Sequence, residues 1–291
     1  MIVDAIIGHR SDAMRDVRPP AVAGSWYPAT RARLSEAVDA HLASAALDEA
    51  DACPRAIIAP HAGLMYSGPV AACAYALVHR CRYAAVVLVG PSHFVGFQGV
   101  SIWPRGAWDT PLGAVKVADS LAGALVAESR NIFEHPAAHG REHSLEMQLP
   151  FVARLLPGVP IVPLVMGYQQ RDTAMVLGDA LARAITSYRT RNPGDVLLVA
   201  SSDLSHYEDA ATASRLDASV VRYVGALDAD GLMDALEREP RHACGGGPMV
   251  SVLRAAAQLG GTRARVLRYA DSGDVSGDKS SVVGYMAAAI W

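Results

Sequence analysis

The chain has 291 residues, 51% hydrophobic and 19% charged, which gives ample apolar material for a large core and excludes a disordered chain. Its 26 basic and 29 acidic residues leave a net charge of −3, so no bulk electrostatic force draws it to nucleic acid or to an anionic membrane. No apolar run reaches the ~18 residues that span a bilayer, and residues 1–20 hold scattered Asp and Arg, so neither a membrane anchor nor a secretory leader is expected.

Residues 1–17 read as an N-terminal extension and 18–291 as one α/β domain. In chain order, the helical period runs over Thr30–Ala45, and a short continuously apolar strand follows at Arg55–Ala59. A helix over Val70–His79 leads to a strand at Ala84–Val89, then to helices over Ser120–Ser129 and Ser144–Leu156. The second of these places Leu145, Leu149, Val152, Leu155 and Leu156 at helical spacing. A strand at Val159–Val165, a helix over Thr173–Tyr188 and a strand at Val196–Ala200 come next. Helices over Thr212–Ala226, Asp228–Arg238 and Met249–Leu259 precede two closing strands, Ala264–Tyr269 and Ser281–Ala287. Most of the strand runs are apolar throughout, as strands buried on both faces are. The alternation predicts a single layered domain with a central, mostly parallel or mixed β-sheet flanked by helices.

Three strands end in loops that carry chemistry. The first runs into Pro60-His61-Ala62-Gly63, the second into Gly90-Pro91-Ser92-His93, and the fourth into Ser201-Ser202-Asp203-Leu204-Ser205-His206. In open α/β sheets ligands bind beyond the carboxyl ends of the strands, so His61, His93, Asp203 and His206 are expected to converge there. His9, His41, His79, His135, His139 and His242 lack this setting and read as surface or structural residues.

The four cysteines form no C-x-x-C pair and no disulfide framework, and reduced thiols in a cytoplasmic protein are expected. Cys53, Cys73 and Cys81 read as small hydrophobes. Cys244 differs, because it stands in Cys244-Gly245-Gly246-Gly247-Pro248 ahead of a helix, where the helix N-terminus is expected to lower its pKa. Two imidazoles and a thiolate suit iron, copper or zinc, and spacing alone does not choose among them. The segment Glu142-His143-Ser144-Leu145-Glu146 opens a predicted helix, which puts His143 and Glu146 on one face, either lining the site or forming a polar helix start. It lacks the second His of a zinc-protease motif. Neither a G-x-S-x-G elbow nor a G-x-G-x-x-G loop is present.

Taken together, Ala23-Gly24-Ser25-Trp26-Tyr27-Pro28, Ala59-Pro60-His61-Ala62-Gly63, Gly90-Pro91-Ser92-His93, Glu142-His143-Ser144-Leu145-Glu146, Ser202-Asp203-Leu204-Ser205-His206-Tyr207 and the closing run Gly277–Tyr285 resemble, in collinear order, the Memo family. Its prokaryotic members are called AmmeMemoRadiSam system protein B. The resemblance implies a fold similar to class III extradiol dioxygenases, which carry non-haem iron(II), and metal ligands at His61, His93 and Cys244. It further implies a polar pocket at Asp203 and His206, the latter near a position of acid/base catalysis, with Trp26 and Tyr66 as pocket-lining aromatics. A radical-SAM system partner is implied by the family name alone. The dioxygenases use a carboxylate as third ligand where Cys244 stands here, so ring cleavage does not transfer with the fold. The expected function is a mononuclear iron(II) oxidoreductase, dioxygenase-like, that activates O2 on a small substrate, with copper or zinc as other candidate metals. A non-catalytic metal-binding or peptide-binding scaffold is the alternative, and zinc-dependent hydrolysis a third.

Overall fold

A computed structural model describes residues 16–45 and 52–291, so most of the expected N-terminal extension, His9 included, lies outside the described residues. The strands are β1 (Val17–Arg18), β2 (Ala56–Ala59), β3 (Tyr83–Pro91), β4 (Val100–Ile102), β5 (Ala107–Trp108), β6 (Val115–Lys116), β7 (Ile132–Glu134), β8 (Ile161–Met166), β9 (Asp195–Ser201), β10 (His206–Glu208), β11 (Ala264–Asp271) and β12 (Val282–Ile290). The main sheet has the order β10-β12-β2-β9-β3-β8-β4-β7, with β11 on the other side of β12. At its centre β2, β9, β3 and β8 are parallel, while β12 and β4 pair antiparallel to β2 and β8 on either side. The mixed α/β architecture expected from the sequence is therefore present. Buried Ile, Val, Leu and Ala dominate the parallel strands because helices cover the sheet.

The helices are α1 (Arg31–Ser44), α2 (Leu64–Tyr75), α3 (Asp119–Glu128), α4 (Pro136–Gly140), α5 (Leu149–Leu155), α6 (Arg171–Arg189), α7 (Ala210–Gly225), α8 (Ala229–Arg238), α9 (Gly246–Gln258) and α10 (Gly273–Ser276). Helix α9 packs on β9, β3 and β2 with α6 behind it, and α2 packs on β2, β11 and β12 with α1 behind it. No helix among the described residues is long and apolar enough to cross a membrane.

Two helix boundaries differ from expectation for reasons that involve proline. Helix α2 begins at Leu64, before Pro69, rather than at Val70. The segment expected as a helix from Ser144 is a 3-10 turn at Glu146–Gln148 followed by α5, whose first turn accepts Pro150 because the N–H that proline lacks has no helical partner there. The strands missed in the sequence, β1, β4 to β7 and β10, are only two or three residues long and show no readable period. Among them β1, β5 and β6 form a separate small sheet.

The reduced-thiol reading is corrected at two positions. Cys53 and Cys81 form a disulfide, 28 residues apart in sequence and 5.7 Å apart at Cα. Each lies just ahead of a parallel strand, and the β2–α2 unit returns the chain to the amino end of the sheet, where the two meet. Cys73 and Cys244 remain free. Replacing both Cys53 and Cys81 by alanine is expected to lower unfolding stability by about 3 kcal/mol, the order of the loop-closure effect for this separation. Urea titration checks this, and a midpoint that moves neither in the variant nor under reductant would show that the bond does not form.

Candidate metal centre

The carboxyl ends of all four parallel strands supply the site. His61 follows β2 and is buried, and its Nδ1 lies 2.9 Å from Ser201 Oγ at the end of β9. That hydroxyl donates its single proton to Ser144 O at 2.6 Å and accepts from Gln148 Nε2 at 2.7 Å. The contact with His61 can then form only if Nδ1 carries the proton and donates, which leaves the Nε2 lone pair free. Burial, reinforced by the neighbouring His93, pushes the His61 pKa down to about 3, so the ring is neutral near pH 7.

His93 follows β3 and rests on Glu142. The Glu142 carboxylate accepts from His93 N at 2.6 Å, His93 Nδ1 at 2.9 Å, His143 N at 2.9 Å and Ser144 N at 2.8 Å. Burial alone would raise the Glu142 pKa, but the hydrogen bonds it accepts from His93 and from backbone N–H groups outweigh it and hold the value at about 2. A carboxylate that accepts a hydrogen bond from Nδ1–H directs the other ring nitrogen outward, as carboxylates behind metal-bound histidines do. Buried His143 stacks on His93 with ring centroids 4.6 Å apart, and burial lowers its pKa to about 4.

Asp203 is buried after β9. Its carboxylate accepts from His61 N at 2.7 Å and Ala62 N at 3.3 Å, and its other oxygen is 4.0 Å from His61 Nε2. Cys244 Sγ lies 3.2 Å from the same Nε2. The Cys244 turn is fastened by Gln169, which follows β8: its Nε2 donates to Cys244 O at 2.6 Å and its Oε1 accepts from Gly247 N at 2.8 Å. Ser202 Oγ accepts from Gly245 N at 2.9 Å. Gly245 is required, since a Cβ there would sit 2.5 Å from Ser201 O and 2.7 Å from Ser202 Cβ. The lowered thiol pKa expected from the helix N-terminus is not found. Burial and then the Asp203 charge raise it well above the ordinary cysteine value, so the sulfur ionises near neutrality only beside a cation.

His206 opens β10, half-buried, with Nδ1 donating to Leu204 O at 2.8 Å and Nε2 without a hydrogen bond among the described residues. Its loop is held from behind by buried Asp217, which accepts from Ser205 N at 2.9 Å and from Tyr269 Oη at 2.8 Å. His206 acts electrostatically on both His61 and Asp203.

The ligand atoms of His61, His93 and His143 all lie within 4.8 Å of one another, and so do those of His61, Asp203 and Cys244. His93 therefore falls in one group and Cys244 in the other, with His61 common to both. Trp26 borders the first group, its ring 4.3 Å from that of His143. Tyr66 stands partly buried in the first turn of α2, shortly after His61. Glu146, expected beside the pocket and on one face with His143, points elsewhere. Its carboxylate accepts from Arg18 Nη1 at 2.7 Å, Ala21 N at 2.7 Å, Val22 N at 2.9 Å and Tyr27 Oη at 2.8 Å, because this stretch is a turn and not a helix. Glu142, Ser201, Gln148 and Gln169 were missed as supports of the site. The one readable signal was Glu142 beside His143.

The family model described as Memo-like protein matches residues 18–289. A MEMO1 family protein of Methanothermobacter thermautotrophicus is 39% identical over 277 residues, covering 92% of this chain and 98% of the relative. One from Thermotoga maritima is 36% identical over 286 residues, covering 94% and 99%. Another, from Sulfolobus acidocaldarius, is 39% identical over 283 residues, covering 93% and 98%.

Proposed function

Because this chain belongs to the Memo-like protein family, we propose that it is a mononuclear metal-dependent oxidoreductase, dioxygenase-like in acting with O2 on a small substrate. The observation that carries the reading is the sharing of His61 between an imidazole group and a thiol–carboxylate group. The donor set fits a borderline transition ion, since His61 and His93 commit Nδ1 to Ser201 and Glu142 and keep Nε2 available. We assign His61, His93 and Cys244 as the residues that would hold it. Iron(II) bound there would supply redox chemistry and open positions for O2 and substrate.

The chain's own residues would do the rest. The elevated thiol pKa makes Cys244 a ligand whose proton leaves when the ion enters. Glu142 and Ser201 fix the orientation of the two imidazoles. His206 Nε2 would accept or donate the substrate proton, with Leu204 O holding its other nitrogen protonated. Asp203 would stabilise the imidazolium during that exchange.

The test uses protein purified without oxygen, loaded with iron(II), and probed first with nitric oxide. A high-spin iron–nitrosyl EPR signal reports open coordination positions, whereas its absence in metal-replete protein moves the reading to a non-catalytic metal-binding protein. His206→Ala is expected to keep metal stoichiometry and the nitrosyl signal while slowing oxygen uptake by about 10²-fold or more. Unchanged uptake would remove His206 from the reaction.

A further inference from the structure

The metal-ligating residues leave one wall of the site unexplained. His143 forms its base, with Trp26 against the ring at 4.3 Å between centroids and Phe94 meeting it edge-on at 5.9 Å. Both flanking aromatics face the solvent to an unusual extent for their size, Trp26 being 38% and Phe94 50% exposed. The Arg141 guanidinium lies over Phe94, 5.0 Å from its ring centroid.

Arg141 makes no ion pair among the described residues, whereas some other exposed arginines are neutralised. Arg154 meets Asp39, Arg171 meets Asp234 and Glu237, and Arg241 meets Glu208 and Glu239. The nearby carboxylate of Glu142 does not neutralise it, because that group is buried on His93 and three backbone N–H groups. The wall thus brings together a planar cation without an ion pair, two partly exposed aromatic rings and the imidazole of His143. A guanidinium fork binds a carboxylate through two parallel hydrogen bonds, and aromatic faces favour a flat apolar body.

From this juxtaposition we propose, resting on the metal-site reading for the chemistry that follows binding, that the substrate is a small planar carboxylic acid. Its flat body packs between Trp26 and Phe94 over His143, and its carboxylate pairs with Arg141. A carboxylate conjugated to a ring lies in the ring plane, so both contacts are met by one rigid ligand. The arrangement holds the acid end at the outer edge of the site and directs the opposite edge of the molecule toward the three histidines.

The experiment uses the full chain, freed of metal, and calorimetric titration with three probes: benzoate, its neutral isostere benzamide, and acetate, which has the charge without the ring. Benzoate is expected to bind saturably, at least about tenfold more tightly than either of the others, the order of a charge-assisted hydrogen bond. Arg141→Gln is expected to erase the preference for benzoate over benzamide, and Phe94→Ala to weaken both ring-bearing probes. Equal binding of benzoate by wild type and Arg141→Gln would overturn the proposal, as would benzoate binding no better than acetate. Cobalt(II) titration of wild-type protein keeps the two readings apart. Failure to bind cobalt would overturn the metal site alone, since the benzoate result is obtained without metal, and Arg141→Gln is expected to bind cobalt as wild type does.

Discussion

His61→Ala is expected to lose cobalt(II) affinity by more than about 10²-fold, beyond the roughly 10–100-fold that removing an outer partner of a metal ligand costs. The size of the effect follows from His61 standing in both donor groups, so that its removal breaks each of them. Cys244→Ser should behave differently: it spares the three-imidazole group, lowers affinity less, and eliminates the thiolate-to-cobalt charge-transfer absorption. Titration followed by visible spectroscopy reads both quantities at once. Loss of the Ser201 contact and of buried ring volume costs His61→Ala some stability, and circular dichroism at the titration temperature verifies that the variant stays folded. Metal affinity unaltered in His61→Ala would place the ion elsewhere. A charge-transfer band surviving in Cys244→Ser would exclude Cys244 as a ligand.

Glu146→Ala is expected to destabilise the fold by about 3–5 kcal/mol, because it strands a buried guanidinium. Arg18 is 1% exposed, and its Nη1 donates to Glu146 at 2.7 Å. The guanidinium also donates to His139 O at 2.8 Å and Glu142 O at 2.5 Å, and lies 4.1 Å from the Trp108 ring centroid. Without Glu146 these neutral partners must hold a full charge out of water, and two backbone N–H groups and the Tyr27 hydroxyl lose their acceptor as well. Glu146→Gln keeps the shape and part of the hydrogen bonding, so it should cost less. Urea-induced unfolding measures both, and a loss below about 1 kcal/mol for the alanine variant would mean the pair is compensated. The same network fixes the turn that bears Glu142 and His143, so a weaker fold should bring a weaker metal site.

Much of this arrangement was readable because parallel strands announce themselves as unbroken apolar runs, and the residues just past their ends are constrained by the sheet. His61, His93, Asp203 and His206 were found in this way, and Cys244 through its glycine-rich turn. What escaped notice depends on contacts between distant parts of the chain. Ser201 serves His61 across 140 residues, and Glu142 serves His93 across 49. Neither relation leaves a period or a motif. Glu146 was misplaced because local spacing suggested a helix, where Pro150 and the buried Arg18 favour a turn. Cys53 and Cys81 were separated in the sequence by a complete strand and helix, and only the return of that unit shows them to be neighbours.

The two ends of the central strands are held differently. The amino end carries the Cys53–Cys81 bond, and there the last strand closes against the first parallel one, with Arg55 N donating to Ile290 O at 2.8 Å and Trp291 Nε1 to Ala52 O at 2.9 Å. The carboxyl end carries the candidate metal site on loops with no disulfide among the described residues. Anything appended after Trp291, whether an affinity handle, a fluorophore or a surface linker, therefore departs from the pole opposite the candidate site. The protein can be immobilised by that pole with its site facing the solution.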